Sequence, residues 1–150
     1  MSLASLGSAT SSVGGATISS SKPSCMIVED QALIGLALEA YLEDIGFAVR
    51  EPLPSAAAAL EWLDTHSPTV AILDYTLTDG PCTTLARKLT ERGISFVIYS
   101  GHSRSVAPPE LRNVLWINKP CDREVLVAAL TRIAPAFATY RRATTPGARW

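Results

Sequence analysis

Val70-Ala71-Ile72-Leu73-Asp74 is a short apolar run that ends on a carboxylate. Two other stretches have the same form. Cys25-Met26-Ile27-Val28 runs into Glu29-Asp30, and Val114-Leu115-Trp116-Ile117-Asn118 runs into Lys119-Pro120. Each is a strand candidate with a charge at its carboxyl end. In an open parallel sheet those ends line up along one edge, where ligands bind. Three carboxylates and an ammonium then share one small cleft. Such a cluster is unstable by itself and calls for a cation.

Outward from these runs, apolar strands alternate with helical patterns, which argues for β-α-β units and a parallel sheet. The first strand is read at 24–28. The stripe Ile34, Leu38, Tyr41 and Ile45 marks a helix that Gly46 ends. A short strand at 47–50 stops at Pro52. Ser55 is placed to cap a second helix, with Leu60 and Leu63 facing inward. Ser67-Pro68 turns into the strand at 69–73. Gly80-Pro81 is read as the opening of a third helix, with Pro81 in its first turn, Leu85 and Leu89 buried and Gly93 at its end. The fourth strand is 95–99. Paired prolines, Pro108-Pro109, leave any fourth helix short or irregular. The fifth strand is 114–118. Asp122 is placed to cap a fifth helix, whose stripe is Leu126, Ala129, Leu130 and Ile133.

The chain of 150 residues is read as one structured domain at 22–137. Residues 1–21 carry no charge and are rich in Ser, Gly and Ala, so a flexible tail is expected. Residues 138–150 read as a second loose tail. A net charge of −1 favours neither nucleic acid nor an anionic membrane. No apolar run has the length of a membrane span. Three widely spaced cysteines, Cys25, Cys82 and Cys121, form no C-x-x-C. They suggest neither zinc nor a disulfide framework, and reduced thiols in a cytoplasmic protein are expected.

Together these residues resemble the receiver domain of two-component response regulators, over about 24–134. The resemblance implies an α/β fold, a doubly wound five-stranded parallel sheet in the order 2-1-3-4-5, as in the CheY-like flavodoxin topology. It implies that Glu29 and Asp30 form the acidic pair and that Asp74 is the phosphoacceptor. Ser100 falls at the hydroxyl position, Lys119-Pro120 at the lysine and its proline, and Trp116 at a switchable aromatic. The implied cofactor is Mg2+, held by Asp30, Asp74 and the backbone carbonyl of Thr76, with Glu29 acting through a metal-bound water. Mg2+ prefers oxygen ligands and keeps several waters, which suits that set. His102 falls at a position that influences phosphate lifetime in the family.

The implied function is a stand-alone response regulator, since too few residues follow the fifth helix for an output module. It would accept phosphate on Asp74 from a histidine kinase or phosphotransfer protein, then switch a downstream partner or drain a relay. It would catalyse its own phosphorylation and dephosphorylation without a separate enzymatic output. A monomer or weak homodimer is expected. The alternative is a receiver-fold binding module that is not phosphorylated. Taken singly, Asp74 reads as a solvated strand end, Lys119 as a surface lysine, Ser100 as part of a turn, His102 as an exposed loop residue and Trp116 as core. Only their order on successive strands favours the sharper reading. Thr78 stands where the family often has proline, and tryptophan replaces the commoner tyrosine or phenylalanine at 116. An aspartyl phosphatase would need a second aspartate two residues after Asp74, where Thr76 stands. Neither G-x-G-x-x-G nor G-x-x-x-x-G-K-[ST] is present.

Overall fold

A computed structural model of the chain describes residues 22–144. The five-stranded sheet is parallel throughout, in the order β2-β1-β3-β6-β7. Its strands are β1 (Ser24–Val28), β2 (Ala48–Val49), β3 (Val70–Leu73), β6 (Ser95–Ser100) and β7 (Trp116–Asn118). A two-stranded antiparallel hairpin, β4 (Thr76–Leu77) and β5 (Gly80–Pro81), follows β3. With the hairpin set aside, the order is the expected 2-1-3-4-5.

Among the described residues five α-helices cover the sheet: α1 (Ala32–Ile45), α2 (Ala56–Leu63), α3 (Thr83–Glu91), α4 (Arg123–Ile133) and α5 (Pro135–Thr144). Strands β1 and β3 are apolar on both faces because both faces are covered. Met26, Val28, Ala71 and Leu73 pack with α2 and α3 residues, among them Leu63, Leu85 and Leu89. Cys25, Ile27, Val70 and Ile72 pack with Leu38, Leu42, Leu126 and Leu130 on the other side. Gly46 follows α1 at a φ of 120°, which a side chain would oppose. Ser55 caps α2, its Oγ accepting from the Ala58 N–H at 3.1 Å.

The structure departs from the sequence reading in several places. Pro81 does not open the third helix; it pairs with Thr76 across the hairpin, and α3 begins at Thr83. The Cys82 N–H donates to Tyr75 O at 2.8 Å, and this bond closes the hairpin before the helix starts. Asp122 stands at the N-cap of α4 but makes no side-chain cap bond. Strand β2 is shorter than 47–50, because Phe47 turns into the core and stacks on Phe137 at 4.3 Å. Strand β7 is shorter than 114–118, and β6 runs one residue further, to Ser100. No fourth α-helix forms between β6 and β7, only two 3-10 turns, Arg104–Val106 and Pro109–Leu111. Helix α5 runs through 138–144, which the sequence left as a loose end, and Phe137 anchors it. The expected tail at 1–21 and the last residues, 145–150, lie outside the described residues.

Candidate functional site

Strand register brings the charged residues together. Val28 pairs with Leu73, so Glu29-Asp30 and Asp74 leave adjacent strands at the same level. The Asp74 N–H donates to Val28 O at 2.9 Å and extends that pairing by one residue. On the other side of β3, Ser100 pairs with Asn118, and the Lys119 N–H donates to Ser100 O at 2.9 Å. Four loops thus meet at one point on the sheet edge.

Ligand oxygens of Glu29, Asp30 and Asp74 all lie within 4.8 Å of one another. Glu29 is 4% and Asp74 6% exposed, so water screens their charges poorly. Lys119 Nζ donates to Glu29 Oε1 at 2.7 Å and to Asp74 Oδ2 at 3.2 Å. The other Glu29 oxygen accepts from the Gln31 N–H at 3.0 Å. Burial pulls the Lys119 pKa down, but the bonds to Glu29 and Asp74 and their charges outweigh it and raise the pKa. The ammonium is therefore firmly charged between two buried acids.

The cleft beside this cluster has a volume of about 280 Å³, lined by Asp30, Gln31, Asp74, Thr76, Gly101, His102 and Lys119. Ser100 is fully buried, and its Oγ accepts from the His102 N–H at 3.1 Å. His102 itself is exposed. Its carbonyl accepts from Trp116 Nε1 at 2.8 Å and from Asn118 Nδ2 at 3.0 Å. Trp116 is half-buried and tilts against Tyr75, the neighbour of Asp74, with ring centroids 5.3 Å apart. Cys82 lies near Asp74, and burial pushes its thiol up to about 12, so it is no competing nucleophile.

Backbone contacts of Glu29 depend on a glycine. The Glu29 N–H donates to Leu53 O and the Leu53 N–H to Ile27 O, both at 2.9 Å. Pro52, beside Leu53, packs so closely on α1 that a Cβ at Gly35 would lie 2.9 Å from the proline Cβ and Cγ. Sequence reasoning missed Gly35, Gln31, Asn118 and Asp79. None carries a motif, and their roles follow from contacts between distant segments.

A doubly wound parallel sheet in this strand order, with an acid cluster and a lysine at its carboxyl edge, is the architecture of a CheY-like receiver domain. The family model of the response regulator receiver domain matches residues 25–131, and the chain belongs to that family. Among solved structures, the chain is similar to a CheY-like receiver domain from Methylobacillus flagellatus. The two are 25% identical over 75% of this chain and 99% of the other, with a TM-score of 0.67. It is also similar to a sensor protein from Polaromonas sp. JS666, at 28% identity over 77% and 98% of the two chains and a TM-score of 0.68. The BeF3-activated conformation of SdrG from Pseudomonas melonis Fr1 is 30% identical over 72% and 92%, with a TM-score of 0.63. No curated protein matches the sequence significantly. Receiver domains typically bind Mg2+ at an acidic pocket, and the oxygen-only donor set of Glu29, Asp30 and Asp74 fits that ion. No helix among the described residues is long and apolar enough to cross a membrane.

Proposed function

We propose that this receiver domain accepts a phosphoryl group on Asp74 from a histidine kinase or phosphotransfer protein. The observation that carries the reading is Lys119, whose Nζ bridges Glu29 and Asp74 at the mouth of an all-oxygen acid cluster. A carboxylate Oδ of Asp74 attacks phosphorus in line. The new P–O bond forms as the donor P–N bond breaks, and the imidazole leaves with the electron pair. Lys119 faces the phosphoryl oxygens with a fixed positive charge. Ser100 accepts from His102 through a lone pair and keeps its own hydroxyl proton to donate to phosphate. Asp30, Asp74 and the Thr76 carbonyl would hold Mg2+, with Glu29 behind a bound water; the ion would neutralise charge on the transferring group.

The donor must cover the cleft mouth during transfer. Leu33 and Leu36, on the first turns of α1 beside the acid pair, are 83% and 54% exposed and offer it apolar surface. The phosphoryl group brings nearly two negative charges at neutral pH while its bond to Asp74 removes that of the carboxylate, a net gain of about one spread over the phosphoryl oxygens. Drawing Ser100 toward them disturbs its bond to His102, whose carbonyl holds Trp116 and Asn118. The reading is a cytoplasmic regulator whose receiver domain switches a partner or acts as a phosphate sink. The family relative SdrG has a BeF3-activated form. The test is incubation with acetyl phosphate and Mg2+, followed by intact-mass measurement. The parent chain gains one phosphoryl group and Asp74→Asn gains none. A folded parent chain that gains none refutes the reading.

A further inference from the structure

We infer that Asp79 is a positioning residue for the metal site: its carboxylate clamps the Thr76 hairpin to the start of α2 and fixes the Thr76 carbonyl against the acid pair. The inference rests on the Mg2+ reading above. A carbonyl ligand in a loop is only as well placed as its loop. The Thr76 hairpin is closed on itself by the β4–β5 pairing and the Cys82–Tyr75 bond, and Leu77 buries its inner side. Leu77 seats the hairpin on the core, but no strand pairing reaches its exposed tip, Thr78-Asp79. Nor does Thr78 offer the fixed φ of a proline.

Asp79 supplies that attachment. Its Oδ1 accepts from the Ala56 N–H at 3.1 Å and its Oδ2 from the Ala57 N–H at 3.0 Å. These are free donors of the first turn of α2, where a carboxylate is also favoured by the helix dipole. Ser55 takes the Ala58 N–H, so the helix has its own cap as well. The segment leading into α2 is already tied to the acid pair, through the two bonds between Leu53 and the Ile27–Glu29 backbone. A continuous path therefore runs from the Thr76 hairpin through the Asp79 hydrogen bonds to Ala56 and Ala57, along the short backbone stretch back to Leu53, and through the Leu53 hydrogen bonds to Glu29. It joins the two segments whose oxygens must converge on one ion. The two bonds from adjacent N–H groups resist rotation as well as separation, which a single bond does not.

Asp79→Ala cuts this path at the hairpin. Ser55→Ala weakens the same helix terminus but leaves the hairpin attached, so it is the control for mere loss of stability. The assay is the rate of phosphorylation by acetyl phosphate as Mg2+ is varied, alongside calorimetric Mg2+ titration and thermal unfolding of each variant. Asp79→Ala should raise the Mg2+ half-saturation about tenfold, the lower end of the cost of losing a contact behind a metal ligand. Its rate at saturating Mg2+ should stay within about twofold of the parent. Ser55→Ala should lower the unfolding temperature with an unchanged half-saturation. Asp79→Asn, which keeps one acceptor oxygen, should fall between parent and Asp79→Ala. A saturable parent site that is unaltered in Asp79→Ala, or equally weakened in Ser55→Ala, overturns the role of Asp79 alone. A parent chain without a saturable Mg2+ effect overturns the metal reading and this role with it.

Discussion

Lys119→Met removes the one ammonium that bridges Glu29 and Asp74, at 2.7 and 3.2 Å, and leaves a side chain of similar length. The two acids are 4% and 6% exposed, and their oxygens lie within 4.8 Å. At an effective dielectric of about 20, two like charges at that separation repel by about 3.5 kcal/mol. Removing one partner of a buried ion pair costs about 3–5 kcal/mol, for the same reason. We expect Lys119→Met to lose about 3 kcal/mol of unfolding free energy at neutral pH with EDTA present, a fall of roughly 10 °C in Tm. The variant should gain more stability from added Mg2+ than the parent does. Lys119 also predicts the alkaline limb. Its folded pKa is raised, so its contribution is complete below the free lysine value of about 10.5 and is lost as pH rises through the folded value. That alkaline loss should be missing from Lys119→Met. Urea unfolding followed by circular dichroism measures all of this. A loss below about 1 kcal/mol, the level of an exposed ion pair, refutes the argument.

Gly35→Ala places a methyl 2.9 Å from the stiff ring of Pro52, and overpacking of that kind costs about 1–3 kcal/mol. A thermal unfolding curve unchanged from the parent would show that the Pro52 loop moves freely. Phe137→Ala deletes a fully buried ring stacked on Phe47 and should cost about 3–5 kcal/mol. A negligible change would mean that α5 is not part of the folded unit.

The fold was legible because its signal is local. Val70–Leu73 and Cys25–Val28 are apolar without alternation, which only a strand covered on both faces tolerates, and both became central strands. The meeting of Glu29, Asp30, Asp74 and Lys119 was legible for a related reason. Each directly follows a strand, and parallel pairing sets neighbouring strand ends level whatever the loops do. Errors gathered where a long-range contact decides a local conformation. Pro81 has the right chemistry for a first helical turn, yet the Cys82–Tyr75 bond draws it into a hairpin. Residues 138–150 read as a loose tail, yet Phe137 just before them stacks on Phe47 and holds a helix that runs on to Thr144.

Trp116 shows the same limit at the level of a single side chain. Its place three residues before Lys119 was readable, but its state was not, because the partner of its indole N–H is a backbone carbonyl on another strand's loop. That partner alters the expectation. A tryptophan that merely fills core loses only packing when replaced by phenylalanine, whereas this half-buried one keeps an aromatic ring beside Tyr75 and gives up chiefly its hydrogen bond to His102 O. Since Asn118 donates to the same carbonyl, His102 O keeps a partner when Trp116 is replaced. Trp116→Phe should therefore cost only about 1 kcal/mol in thermal unfolding. A loss of several kcal/mol would mean that the ring, rather than its N–H, holds the loop above Asp74.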